Sequence, residues 1–191
     1  MKFNELAKNR RSIRKFTGEK VSQEDLETIL NSTLTAPSAR NRDTVHYYVF
    51  RDKNSLEKLA RMKKVGADFL RECDVAIMVL GDKELASATY FQDECIAATI
   101  MQLQVHDLGL GSCWVNVVAG MYDDNTTTYE YLLKEFDIPE KFDIQCVIGI
   151  SHPAEEPAVR NHREIKDFDE IIEVINKCDV CRLAINDGDY P

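Results

Sequence analysis

Basic residues are concentrated near the start of a chain that is otherwise acidic. Four cations and one serine hydroxyl occupy six consecutive positions, namely Arg10, Arg11, Ser12, Arg14 and Lys15. The 191-residue chain as a whole carries a formal net charge of −9 at pH 7. Arginine presents a rigid fork of N–H donors that matches phosphate oxygens, and serine adds a short hydrogen bond. The segment is therefore a candidate anion site, with a solvated basic loop as the alternative.

A second candidate segment is the loop of residues 35–41, which ends a predicted helix. Pro37 fixes a turn, and Ser38 and Ala39 are small enough to let a planar ligand approach closely. Asn41 offers both a hydrogen-bond donor and an acceptor. Taken alone, the loop is more typical of an ordinary helix-ending turn.

A third candidate, residues 157–163, carries Arg160 and Arg163 and taken alone is typical of a solvated loop. Catalytic motifs built from protein groups are missing, since the chain has no Gly-x-Ser-x-Gly elbow, Walker loop or His-Glu-x-x-His. Gly109 and Gly111 do not begin a dinucleotide-binding motif, because Trp114 occupies the place of its last glycine. If the chain is an enzyme, a bound cofactor therefore performs the chemistry.

The six cysteines do not predict a metal site. Cys178 and Cys181 form a C-x-x-C pair near the C-terminus. A convincing zinc site needs a second pair or a histidine pair, and the four histidines show no such spacing. We interpret the pair as reduced thiols, with a redox role as the alternative. The other four lie singly in or beside apolar segments, where Cys is usually a small buried hydrophobe: Cys73, Cys95, Cys113 and Cys146.

Composition indicates one globular domain with an ordinary core, since 44% of residues are hydrophobic and 30% are charged. Apolar runs such as residues 75–80 are far too short to span a bilayer, and residues 1–6 lack the apolar segment of a signal peptide. We therefore expect a cytoplasmic protein with no membrane partner. The acidic balance argues against nucleic-acid binding, which needs a basic face.

Periodicity predicts helices and strands in an order that fits an α+β or an α/β domain with one mixed sheet. Ser22 caps a helix that ends before Pro37, and Asn54 caps a short helix. The longest helix covers residues 87–108, and its apolar residues spread over much of its circumference, which indicates burial at a subunit interface. Gly109 ends it. Strands are predicted at residues 45–50, 75–80, 113–118 and 144–150, with further helices at the N-terminus, at 126–136 and at 167–176.

Four motifs in order resemble the nitroreductase family of FMN-dependent oxidoreductases. Residues 10–16 are similar to its opening R-R-S-x-R-x-F motif, and residues 36–41 to its A-P-S-x-x-N loop. Residues 108–114 resemble its G-L-G-S-C-W segment, and residues 148–157 its I-G-x-P-A-E-x-P stretch. Together they cover most of residues 10–163.

The resemblance implies an α+β, nitroreductase-like fold, with a central mixed, mostly antiparallel sheet flanked by helices. It also implies a domain-swapped homodimer with two FMN sites at the subunit interface. A single FMN-binding domain would cover residues 1–177, and residues 178–191 would form a tail for which the family offers no counterpart.

By resemblance, the cofactor-binding residues fall into three groups. Arg10, Arg11, Ser12 and Arg14 would hold the FMN phosphate and ribityl chain, joined by Arg160 and Arg163. The partner subunit would supply Pro37, Ser38, Ala39 and Asn41. Trp114, Val118 and Ala119 would lie near the flavin ring, with a backbone N–H close to N5.

The resemblance further implies that NADH or NADPH reduces FMN and that a nitroaromatic, quinone or similar planar acceptor is reduced in a second, ping-pong step. FMN carries the chemistry, so no side chain is assigned a catalytic role. A flavin-binding redox sensor or FMN carrier without substrate turnover is the alternative. The sequence departs from the family in the loop after Asn41, where Arg42 replaces the usual continuation.

Overall fold

The computed structural model describes residues 2–157. These residues form five helices and four strands. The helices are α1 (Phe3–Asn9), α2 (Gln23–Leu34), α3 (Lys53–Ala60), α4 (Tyr90–Asp107) and α5 (Thr128–Glu135). The strands are β1 (Val45–Phe50), β2 (Val75–Asp82), β3 (Gly111–Asn116) and β4 (Phe142–Ser151). Two short 3₁₀ turns, Ala39–Asn41 and Asp68–Glu72, complete the order.

The strands form one sheet in the order β1-β2-β4-β3. All three pairings are antiparallel, and the parallel element in the described residues is an isolated bridge between Ser12 and Ser112. Every residue of β2 is buried, as the continuous apolar run predicts for a strand covered on both faces. The expected α+β fold with a mostly antiparallel sheet is confirmed.

The two faces of the sheet support separate hydrophobic cores. Alternation along β2 sends Ala76, Met78 and Leu80 into one core, with α3 and α5. The neighbouring Val75, Ile77 and Val79 face the other, with α2 and α4.

A β-bulge in β4 changes this alternation beside α4. Val79 pairs with Cys146 and Leu80 pairs with Ile144, so Gln145 is an extra residue in β4. Cys146 and Ile144 consequently lie in opposite cores, although they are two residues apart. The bulge also places Asp143 on the α4 side of the sheet, because it must face opposite to Ile144.

The longest helix differs from its sequence prediction in two ways. It begins at Tyr90 rather than Ser87. As expected, its apolar residues lie on more than one side, since Phe91 and Ile96 are exposed. It also buries two carboxyls, Asp93 and Glu94, which the sequence pattern did not predict.

Smaller corrections concern element ends. Asp52, not Asn54, caps α3, since its carboxylate accepts a hydrogen bond from the Ser55 amide at 2.9 Å. Strand β3 ends at Asn116, so Val118 lies in the following loop. The predicted last helix, the C-x-x-C pair and the proposed domain boundary at residue 177 lie outside the described residues. Within residues 2–157, no helix is long and apolar enough to cross a bilayer.

Candidate functional site

The cationic segment, residues 10–16, is fixed along the outer edge of β3. Ile13 and Phe16 are buried in the core, and the side chains of Ser12 and Arg14 beside Ile13 are exposed. The Ile13 amide donates to the Ser112 carbonyl at 2.9 Å. The predicted anion segment is therefore an extended, anchored stretch rather than a free loop.

A glycine in β3 permits this close approach. A Cβ atom at residue 111 would lie 3.0 Å from the Cβ of Ile13, which is tighter than normal packing allows. Gly109 ends α4 just before it, with a φ of +75° that glycine adopts without strain. The Gly109–Trp114 motif thus turns the chain out of the helix and makes room for the cationic segment.

The positive charges converge where α4 ends and β3 begins. Burial lowers the pKa of His106 at the end of α4, and the charges of Arg10 and Arg11 lower it further. Burial raises the pKa of Cys113 in β3, and the charge of Arg14 is the largest opposing influence. Three of the predicted phosphate-binding arginines therefore act electrostatically on one region.

A cavity of about 250 Å³ opens beside these cations. Its lining includes Arg11, Ser112, His106 and Glu155. The Glu155 carboxylate accepts hydrogen bonds from the amides of Arg14 at 2.9 Å and Lys15 at 3.2 Å, and these bonds lower its pKa. Glu155 thus orders the backbone of the cationic segment, although its charge partly offsets the cations.

Strand β3 connects this region to a second cavity. It lies at the edge of the described sheet, and the Ile13–Ser112 bond identifies Ser112, Trp114 and Asn116 as the residues whose backbone groups face outward. The five steps from residue 111 to residue 116 span about 17 Å at roughly 3.3 Å per residue.

The second cavity is larger, at about 610 Å³, within the usual range for small-molecule sites. Val118 and Ala119 lie in its wall, together with residues of α4, α5 and β4. Ala119 has a φ of +58°, and a Cβ at Gly120 would lie 2.6 Å from the Thr128 hydroxyl oxygen, so this loop is tightly turned. Two predicted ring-binding residues therefore line one cavity.

Hydrogen bonds set the position of this loop relative to Trp114. The indole Nε1 of Trp114 donates to Asn116 Oδ1 at 3.4 Å, and Asn116 Nδ2 donates to the Val118 carbonyl at 2.7 Å. The half-buried Trp114 is thus linked through Asn116 to the wall of the second cavity.

Lys63 lies beside the end of β3, a position that sequence reasoning missed. Its Nζ donates to the Asn116 carbonyl at 3.2 Å, which places an ammonium group at the carboxyl end of β3. In the sequence, Lys63 belongs to a short basic run with Arg61 and Lys64, which is typical of a solvated surface. Only the fold reveals where its charge lies.

The loop at the end of α2 lies on different cavities. Ala39 lines one of about 250 Å³ with Arg40 and Arg42. Pro37 and Ser38 line another of about 30 Å³. Neither of these two cavities is lined by a residue of the cationic segment.

Buried Asp93 holds that loop in shape. Its carboxylate accepts hydrogen bonds from the Ala39 amide at 3.0 Å and the Thr44 hydroxyl at 2.8 Å. Between these points Arg40 and Asn41 have left-handed backbone angles, with φ of 57° and 54°. Asp93 lies in the first turn of α4, and its hydrogen bonds offset the backbone strain of the loop. Arg160 and Arg163, predicted to join the phosphate site, lie outside the described residues.

A further buried carboxyl belongs to α4. Glu94 is fully buried, and neither carboxyl oxygen has a hydrogen-bond partner among residues 2–157. Burial raises its pKa to about 8, and the charge of Asp143 adds to the rise. The nearby amides of Gln145 and Gly81 oppose the rise, although neither makes a hydrogen bond of normal geometry to the carboxyl. Its protonated form is therefore favoured at neutral pH.

Comparison with known proteins agrees with this architecture. Residues 7–65 and 57–152 match the model of the nitroreductase family. A relative from Methanothermobacter thermautotrophicus, provisionally named an NADH dehydrogenase/NAD(P)H nitroreductase, is 35% identical over 159 residues, which cover 82% of this chain and 80% of the relative. The chain therefore belongs to the nitroreductase family.

Solved structures show the same likeness. An FMN-dependent nitroreductase from Clostridium difficile has a TM-score of 0.80 at 39% identity, covering 83% of this chain and 92% of that chain. A protein from Desulfovibrio desulfuricans, provisionally described as a nitroreductase and solved in complex with FMN, has a TM-score of 0.74 at 25% identity, covering 86% and 93%.

The protonation state of Glu94 predicts a specific pH dependence of stability. Because the folded pKa of about 8 exceeds the ordinary value of 4.5, the folded state holds the extra proton between those pH values, and stability falls as pH rises through this window. Glu94→Gln removes the effect. The change that this substitution causes in the free energy of unfolding should be more favourable at pH 9 than at pH 5, by on the order of 3 kcal/mol.

Urea unfolding of both proteins at pH 5 and pH 9 measures this difference. Glu140→Gln is the matched control, because Glu140 is an exposed carboxylate in the turn before β4. A Glu94→Gln effect that is equal at the two pH values would contradict a buried, protonated Glu94.

Proposed function

We propose that the chain is an FMN-dependent oxidoreductase that takes a hydride from NADH or NADPH and passes it to a planar acceptor such as a nitroaromatic or a quinone. The observation that carries this proposal is the arrangement along β3, with cations at one end and a large cavity at the other. The name of the C. difficile relative specifies FMN dependence, and the D. desulfuricans structure contains FMN.

In this proposal the cationic end holds the FMN phosphate. Arg10, Arg11 and Arg14 supply charge-assisted hydrogen bonds, and Ser12 adds a hydroxyl. The anchors Ile13 and Phe16 fix the backbone, so little ordering is left to occur on binding.

The second cavity would receive the flavin ring. Trp114, Val118 and Ala119 would hold it, and an outward-facing amide of β3 would be the hydrogen-bond donor to its N5. Lys63, at the carboxyl end of β3, would supply a positive charge that favours the reduced ring. When bound, FMN accepts and releases the hydride, and the chain supplies the shaped site on which the two substrates bind in turn.

We further propose that the site is completed in a homodimer. The cavities lined by Pro37, Ser38 and Ala39 include no residue of the cationic segment. This separation supports a contribution of that loop, Asn41 included, from a partner subunit. The exposed Phe91 and Ile96 on α4 supply apolar surface for such an interface.

The first test is the spectroscopic response of the flavin-loaded protein. Under anaerobic conditions, NADH or NADPH should bleach the flavin absorbance, and a quinone should restore it. Steady-state rates should give the parallel double-reciprocal lines of a ping-pong reaction. Absence of bleaching by either nucleotide would favour the flavin sensor or carrier over the enzyme.

Arginine substitution tests the phosphate assignment. Arg14→Ala should weaken FMN binding by roughly 10- to 100-fold, because a hydrogen bond to a charged group contributes about 1.5–3 kcal/mol. Fluorescence titration of the flavin-free protein measures the Kd. Lys20→Ala is the matched control, since Lys20 is exposed and lies beyond the anchored stretch. Equal affinity in the Arg14 variant and its parent would show that the phosphate lies elsewhere.

A surface substitution tests the interface. Ile96→Glu should give monomers that lose flavin, because it buries an unpaired charge in the proposed interface. Light scattering after size-exclusion chromatography reports the mass. Val65→Glu is the control, because Val65 is 77% exposed. A flavin-loaded dimer of the Ile96 variant would contradict the interface assignment.

A further inference from the structure

The carboxyl of Glu94 occupies the place that a side chain at residue 81 would fill. A Cβ atom at Gly81 would lie 2.8 Å from Glu94 Cδ and 3.0 Å from its Oε2. Gly81 pairs directly with Asp143 across the β2–β4 ladder. Side chains of directly paired residues start about 4.5–5.5 Å apart at Cβ. Glu94 is therefore a cross-strand neighbour of Asp143, although it comes from a helix.

Asp143 connects this buried carboxyl with the second cavity. It is half-buried and lies in the cavity wall, together with Gln145. Burial raises the pKa of Asp143, and the nearby charge of Lys83 opposes the rise. The bulge at Gln145 makes this arrangement possible, because it turns Asp143 toward α4. The carboxyl of Glu94 is thus buried in the protein, and Asp143 lines the cavity.

We propose that the Glu94–Asp143 carboxyl pair is a proton donor for the acceptor bound in the second cavity. This proposal rests on the proposed oxidoreductase function. An acceptor such as a quinone gains two electrons and two protons, of which the hydride supplies both electrons and one proton. The pair supplies the remaining proton from Asp143, while Glu94 holds it at rest and acts through Asp143. Solvent at the cavity mouth then returns a proton to the pair.

Neighbouring groups favour one proton on the two carboxyls. The charge of Asp143 raises the pKa of Glu94, so the pair resists double ionisation and the two groups titrate together. Lys83, after β2, favours one negative charge on Asp143, and its Nζ lies 3.1 Å from the Tyr129 hydroxyl of α5. On α4, Asp93 adds a second negative charge near Glu94.

The remaining titratable groups on this face carry no charge at neutral pH. Burial raises the pKa of each above its already high ordinary value. They are Tyr90 and Cys95 of α4, Cys146 of β4 and Tyr47 of β1. Among residues 2–157 on this side of the sheet, Glu94 and Asp143 are therefore the groups that can exchange a proton near neutral pH.

The decisive experiment compares acceptors that do and do not need protons. The flavin-loaded protein is reduced with dithionite and mixed anaerobically with benzoquinone, which takes up protons, or with ferricyanide, which takes electrons alone. Asp143→Asn and Glu94→Gln should each slow reoxidation by benzoquinone by about tenfold or more and flatten its pH profile. Reoxidation by ferricyanide should change by less than about twofold.

A merely structural role would slow both acceptors alike, and that result, or no change with either, would overturn the proposal. Glu140→Gln is the control, as a carboxylate in the turn before β4 that does not line the cavity. Because dithionite reduces the flavin directly, this test does not depend on NADH or NADPH as the reductant. If neither nucleotide bleaches the flavin, the proposed function fails but the comparison of acceptors can still be made.

A flavin-independent measurement tests the pair itself. Infrared titration of the flavin-free protein should show a protonated carboxyl band at neutral pH that Glu94→Gln removes and Asp143→Asn shifts in its midpoint. A spectrum without this band in the parent, or a midpoint that Asp143→Asn leaves unchanged, would also overturn the proposal.

Discussion

The contact between Ile13 and Gly111 is the constraint on which the site depends. Because residue 111 has no side chain, the cationic segment can lie against the edge of β3 and bond to its backbone. Ile13 is buried on one side of that contact, so Arg14 beside it is held outward. A surface cluster of arginines would otherwise be mobile and would lose binding free energy to ordering. The core thus fixes the charges through a single glycine.

Strand β3 then sets the distance between binding and chemistry. In the proposed function, the phosphate site at its start and the ring site near its end are a fixed distance apart, because an extended strand has a nearly fixed rise per residue. The same edge position leaves backbone groups facing outward for a ligand. The proposal therefore separates cofactor retention from redox chemistry along one strand, and changes at one end need not disturb the other.

Sequence reasoning recovered what depends on local patterns. The buried strand β2 followed from its apolar run, the end of α4 from Gly109, and the cationic segment from its composition. The family motifs added the fold. These features are encoded within a few residues, so the printed sequence is enough to predict them.

The parts that sequence reasoning missed depend on tertiary contacts. Glu94 belongs to a helix that is mostly apolar in sequence. Only its packing against Gly81 and the bulge at Gln145 shows that it is buried with no hydrogen-bond partner among residues 2–157. Lys63 resembles a surface lysine until the fold places it beside Asn116. Pairings between residues that are distant in sequence leave no local signal in a single chain.

The absorbance spectrum of the protein as purified tests the central claim most directly. The arrangement along β3 predicts the two absorption bands of an oxidised flavin and, after denaturation, release of FMN rather than a flavin lacking phosphate. A colourless protein that also fails to bind added FMN would contradict the account, because the cations along β3 would then serve a different anion.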